Sequence, residues 1–187
     1  MDSARAAIAE HLELAAGIDR LLPQVERAVA ALISCYENGG RVYTCGNGGS
    51  AADSLHFAEE LVARFKRERR PLAAQSFAAD PTTLTCIAND YEYDDVFARQ
   101  VRAFVRAGDV VVGFTTSGRS RNVVNALASS RDLGATTVLF GGGDGKPASD
   151  HADVALVVPS SDTARVQEMH VLLLHVILDD VDRWAAG

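Results

Sequence analysis

Three cysteines in 187 residues are too few, and odd in number, for a disulfide framework. Cys35, Cys45 and Cys86 also lack metal-type spacing. They are expected to be small buried thiols, with Cys45 the one candidate for partial exposure because it ends a strand beside a loop. No apolar run approaches the ~20 residues needed to cross a bilayer. Met1-Asp2-Ser3-Ala4-Arg5 has neither the basic n-region nor the apolar h-region of a signal peptide, so a cytoplasmic protein is expected. Cationic surplus is missing as well. Eighteen Lys and Arg face 25 Asp and Glu, a net charge of −7, and the bulk field repels nucleic acid. Arg64-Phe65-Lys66-Arg67-Glu68-Arg69-Arg70 is the local exception and reads as a solvated helix end. Glycine–serine tracts, acidic tails and tandem repeats are absent. What remains is a length suited to one domain, with 48% hydrophobic residues to build its core.

The apolar residues alternate between two periods. Helical spacing covers about 4–17 and 21–37; in the second segment Leu21, Leu22, Val25, Val29, Leu32 and Ile33 recur at three- and four-residue steps, and Asn38-Gly39-Gly40 stops the helix. Strands are expected at 41–45, 72–77, 109–115, 136–140 and 154–158. Helices are expected at 50–65, 94–105, 120–133 and 163–184, with a helical turn entered at Asp80-Pro81. Short, almost wholly apolar strands alternating with helices indicate a parallel sheet buried on both faces. The expected fold is α/β: a three-layer α/β/α sandwich with five strands, residues 39–187. It is preceded by a helical segment, 1–38, with apolar faces broad enough for oligomer contacts.

Two loops carry the chemistry. Cys45-Gly46-Asn47-Gly48-Gly49-Ser50 and Thr115-Thr116-Ser117-Gly118-Arg119-Ser120 each follow a strand pattern and run into a helix. Such a junction leaves free helix N–H groups in a concavity, where the helix dipole favours an anion. The first loop matches G-x-G-x-x-A, but the acidic residue that would hold a dinucleotide ribose ~20 residues on has no good candidate in the basic and apolar stretch 64–75. Neither loop ends in the Lys-Ser/Thr of a triphosphate-binding P-loop. In the second, Thr115, Thr116, Ser117 and Ser120 offer four hydroxyls, more than a helix cap requires. A phosphorylated, hydroxyl-rich small molecule is the expected ligand.

These loops resemble those of the sugar isomerase (SIS) family, in particular its phosphoheptose isomerases. The resemblance rests on Cys45–Asp53, His56-Phe57-Ala58-Glu59-Glu60-Leu61, Ala88-Asn89-Asp90-Tyr91, Asp94–Val101, Thr116-Ser117-Gly118 and Arg165-Val166-Gln167-Glu168-Met169-His170, in order from about residue 10 to the end. It implies a flavodoxin-like SIS fold and a homotetramer with active sites at subunit interfaces. It further implies interconversion of D-sedoheptulose 7-phosphate and D-glycero-D-manno-heptose 7-phosphate through an enediol, the entry to nucleotide-activated heptoses. By the same resemblance Asn47, Gly48, Gly49 and Ser50 lie at the sugar, Asn89 and Asp90 hold hydroxyls, and Thr115, Thr116, Ser117 and Ser120 bind the phosphate. His56, Glu60, Gln167 and His175 line the reacting end and would bind zinc. Some relatives keep the fold as non-catalytic sugar-phosphate sensors or partners of a replication initiator.

The residue chemistry suits the isomerase. Ketose–aldose isomerisation needs a base, proton management on the oxygens and stabilisation of an oxyanion. Glu60 is the base candidate, on the same helix face as His56 at i and i+4, and His175 is the acid candidate. Gln167 and His175 are eight residues apart, ~12 Å of helix rise, and meet one ligand only if their side chains converge. His170 points elsewhere and is read as structural. Thr115, Arg119 and Arg121 depart from the usual residues and bear on the choice of sugar.

Overall fold

The structure, a computed structural model, describes residues 1–187. Its five strands are β1 (Val42–Gly46), β2 (Ala74–Ser76), β3 (Val110–Thr115), β4 (Thr136–Gly142) and β5 (Val154–Val158). All neighbours pair in parallel, in the order β2-β1-β3-β4-β5. Every residue of β1 and β3 is buried, so alternation gives way to nearly continuous apolar runs.

Seven α-helices complete the layers: α1 (Asp2–Ala16), α2 (Leu22–Glu37), α3 (Gly49–Val62), α4 (Pro81–Asp90), α5 (Ala98–Phe104), α6 (Arg121–Asp132) and α7 (Thr163–Ala186). The period-two pleat sends Val110, Val112 and Phe114 of β3 into a core shared with α2, α3 and α7. Val111 enters the opposite core, with α5 and α6. Phe114 stacks on Phe140 (4.5 Å between centroids), and Phe57 of α3 meets both edge-on at 6.1 Å. The leading helices differ in fate. The stripe Val25, Ala28, Leu32, Cys35 and Tyr36 places α2 in the same core as the strands, whereas α1 buries no residue and leaves Ile8 and Leu12 exposed. No helix is long and apolar enough to cross a membrane.

Several expectations shift. The turn at Asp80-Pro81 is a ten-residue helix, α4, begun by Pro81 and capped by Asp80, whose carboxylate accepts from the Thr82 N–H and the Thr83 hydroxyl. The segment expected as helix 94–105 opens with a 3-10 turn, Tyr93–Asp95, before α5. Helix α3 stops at Val62, short of Phe65. Cys45 is fully buried, because it points into the core beneath α5 and α6, and the exposed thiol is Cys86 on the outer face of α4.

His170 is structural. Its Nε2 donates to the Gly141 carbonyl at 3.0 Å, its Nδ1 is buried without a partner, and burial pushes its pKa down to about 4. The unfolded imidazole titrates near 6.5 and binds protons that the folded one refuses. Stability from this group is therefore complete above pH ~6.5 and is lost as pH falls toward 4. Urea unfolding at pH 7 and pH 4.5 should show that His170→Asn shrinks the acid-induced loss by about 2–3 kcal/mol. An identical loss in both proteins contradicts the assignment.

Candidate active site at the carboxyl edge of the sheet

Strand order reverses between β1 and β3, the position where parallel α/β sheets bind ligands beyond their carboxyl ends. The register pairs Gly46 with Phe114, so the two signature loops leave the sheet side by side. In the first loop, Gly49 opens α3 with its Cα facing Gln167, and a Cβ there would overlap the Gln167 amide. Ser50 is buried in the first turn of α3. Asn47 and Asn122 form a reciprocal amide pair at 2.8 Å each way, and Tyr93 donates to Asn47 Oδ1 at 2.9 Å. The Asn47 oxygen is thereby saturated and one N–H is left to donate.

In the second loop, Thr115 is buried with its hydroxyl 3.1 Å from Ser120 Oγ. Gly118 takes φ +68°, and Ser117 Oγ accepts from the Arg119 N–H at 3.1 Å. Thr116 and Ser117 line a cleft of about 390 Å³ that no hydrophobic side chain enters, with Arg119, Gly143, Asp144, Ser161 and Thr163. Arg119 leans on Asp144 (3.7 Å) within its lining, and Arg121 pairs with Asp94 at 3.0 Å on the exposed start of α6.

His56, Glu60 and His175 converge: one ligand atom from each lies within 4.8 Å of the others. His56 Nε2 is 3.3 Å from Glu60 Oε1, and the two imidazoles meet edge to face at 5.1 Å. Phe65 stacks on His175 at 5.4 Å and 19°. Burial first, then His56 and Lys66, hold His175 below the usual histidine value, with Glu60 opposing. Two nitrogens and a carboxylate oxygen, half-open on one side, form a donor set that suits zinc or a similar borderline cation.

Other expected residues stand on α4 and α7. Asn89 and Asp90 sit at the exposed end of α4, where Asn89 donates to Asp90 at 2.8 Å. Gln167 lies against Gly49, two helical turns before His175 on α7. Asp162 caps α7 by accepting from the Ala164 and Arg165 N–H groups. The basic stretch 64–70 is only partly solvated, since the Arg69 side chain is 1% exposed and paired with equally buried Asp182 at 2.9 Å.

Sequence reading missed Asn122, Tyr93, Phe65, Ser161 and Thr163, which touch the site only through long-range packing. It also passed over Asp53, whose Oδ2 is buried without a partner and whose pKa burial pushes up to about 6. Its position one turn before His56 was a usable signal.

The SIS domain family model matches residues 8–142. The phosphoheptose isomerase of Helicobacter pylori (strain P12) is 46% identical over 166 residues, covering 89% of this chain and 86% of that protein. Among solved structures, phosphoheptose isomerase GmhA from Neisseria gonorrhoeae superposes with a TM-score of 0.92 at 38% identity, over 97% of this chain and 98% of the other. A phosphoheptose isomerase from Francisella tularensis gives 0.93 at 33% identity, over 97% of each.

Proposed function

We infer from its membership (the chain belongs to the SIS domain family and, within it, to the phosphoheptose isomerases) that it converts D-sedoheptulose 7-phosphate to D-glycero-D-manno-heptose 7-phosphate, in heptose biosynthesis. The observation that carries the assignment of roles is the meeting of His56 and Glu60, on the helix that the first loop opens, with His175 of α7.

The phosphate is held in the loop 115–120 by Thr115, Thr116, Ser117 and Ser120 and by free N–H groups at the start of α6. Asn47 donates its remaining N–H to a sugar hydroxyl, and Gly48, Gly49 and Ser50 allow the backbone to approach; Asn89 and Asp90 hold outer hydroxyls. Glu60 removes a proton from C1 of the ketose while the C2 oxygen takes one, giving the enediol. Return of the carbon-bound proton to C2 and loss of the O1 proton leave the aldehyde at C1. His175 moves the oxygen-bound protons. Gln167 supports the carbonyl end.

His56, Glu60, Gln167 and His175 are the proposed holders of zinc, which when bound would supply Lewis-acid polarisation of the carbonyl. Metal analysis of the purified protein should find zinc, and His56→Ala should lower its content severalfold. Equal content in both would remove His56 from the set.

A homotetramer completes the proposal. Leu55, Val62, Leu172 and Val176 stand exposed on α3 and α7, the helices that carry His56 and His175, and Ile8 and Leu12 on α1 are uncovered. A partner surface over them would bury apolar area and close the site against water. A cytoplasmic place of action belongs to the same reading. The non-catalytic alternative is disfavoured because base, acid and phosphate loop are all present, and base and acid meet. The test is incubation with sedoheptulose 7-phosphate followed by NMR. Appearance of the aldose is expected, and binding without conversion would favour the sensor reading.

A further inference from the structure

Helix α3 ends without a glycine cap: Ala63 follows at φ −82°, ψ −96°. A helix terminus leaves its last carbonyls unpaired, and here they belong to the turn that carries Glu60. Arg69 supplies side-chain donors there, beside the Leu72 N–H that also reaches the Leu61 carbonyl at 3.1 Å. Its Nη2 donates to the Glu60 carbonyl at 2.6 Å and its Nη1 to the Leu61 carbonyl at 2.9 Å. Its Nε donates to Asp182 Oδ1 at 2.9 Å. The other oxygen of Asp182 accepts from the backbone N–H groups of Lys66 (3.2 Å) and Arg67 (2.8 Å). Both side chains are 1% exposed. Arg67 adds a second tie at the rim, to Asp179 at 2.8 Å.

This clasp has consequences at the site. Asp182 lies seven residues beyond His175 on α7, two turns along nearly the same face. The backbone that Asp182 pins begins at Lys66, directly after Phe65, and Phe65 is the ring stacked on His175. One buried ion pair therefore fixes the carbonyl of Glu60 at one end and the packing surface of His175 at the other.

We propose that Arg69 and Asp182 are positioning residues for the isomerisation, holding Glu60 and His175 at reacting distance through the α3 terminus and the loop 63–70. The inference rests on Glu60 and His175 carrying the proton transfers. Their side chains come from two helices, and a displacement of about 1 Å is enough to cost on the order of 10²-fold in rate. Lysine cannot replace Arg69, because an ammonium lacks the planar fork that reaches two carbonyls and a carboxylate together.

The experiment compares kcat and KM for Arg69→Lys, Asp182→Asn and a control, Asp109→Asn. Asp109 is likewise buried and accepts from two backbone N–H groups, of Arg41 and Arg106, but at the opposite end of the sheet. All are assayed on folded protein below their melting temperatures, because breaking a buried pair also destabilises. Arg69→Lys and Asp182→Asn are each expected to lower kcat by about tenfold or more with KM little changed, while Asp109→Asn keeps the wild-type kcat. Should Arg69→Lys fail to fold, Asp182→Asn alone decides. Wild-type kcat in either folded clasp variant, or an equal fall in Asp109→Asn, overturns the proposal. Failure of the underlying reading shows separately, as turnover retained by Glu60→Gln.

Discussion

Glu60→Gln is expected to lower kcat for the isomerisation of sedoheptulose 7-phosphate by roughly 10²–10⁴-fold, the range set by removal of a positioned general base. KM should change little, because the phosphate loop and the Asn47 contacts are untouched. The substitution is nearly isosteric, and the Glu60 carboxylate has 15% exposure in a helix whose packing is carried by Phe57 and Leu61, so the fold should survive. Zinc content measured on the same sample separates loss of the base from loss of metal. Near-wild-type turnover would remove Glu60 from the mechanism.

The second large effect is expected at Gly118→Ala. Gly118 sits at φ +68°, a region that costs an L-residue about 1–2 kcal/mol. The added Cβ would also overlap the Gly145 carbonyl group and crowd the Lys146 nitrogen, both rigid backbone. The Gly118 carbonyl accepts from the Ala148 N–H at 3.0 Å, so displacement spreads through the segment that walls the polar cleft. Hydroxyls and N–H groups aimed at a phosphate lose their convergence together. KM should rise tenfold or more and the melting temperature fall by several degrees, about 2–4 °C per kcal/mol for a domain of this size. Steady-state kinetics and thermal unfolding check both, and an unchanged KM would place the phosphate elsewhere.

The strands were legible because burial on both faces forces apolar, β-branched runs, and those runs read the same way in sequence and structure. Helix α4 was not: it lies at the periphery, buries only Ile87, and is rich in threonine, so its period is faint beyond the Asp80-Pro81 start. At the site, His56 and Glu60 were readable from four-residue spacing, and the loops from their glycines and hydroxyls. His175 on its own reads as a core histidine and enters the site only through resemblance. Arg69 looked solvated because its partner Asp182 lies 113 residues downstream. Asn122 and Phe65 were silent for the same reason: an amide pair across 75 residues and a loop ring stacked on a distant helix leave no local pattern.

The central claim is that a protein carboxylate, with imidazole help, moves a proton between neighbouring sugar carbons. Its most direct test is conversion of sedoheptulose 7-phosphate in D₂O, with the product's C2 position read by NMR and mass spectrometry. Deuterium is expected at C2 of the heptose 7-phosphate, since the base exchanges its proton with solvent before returning it. Complete transfer of the original C1 hydrogen, with no solvent label however slow the turnover, would indicate a direct hydride shift and contradict the account.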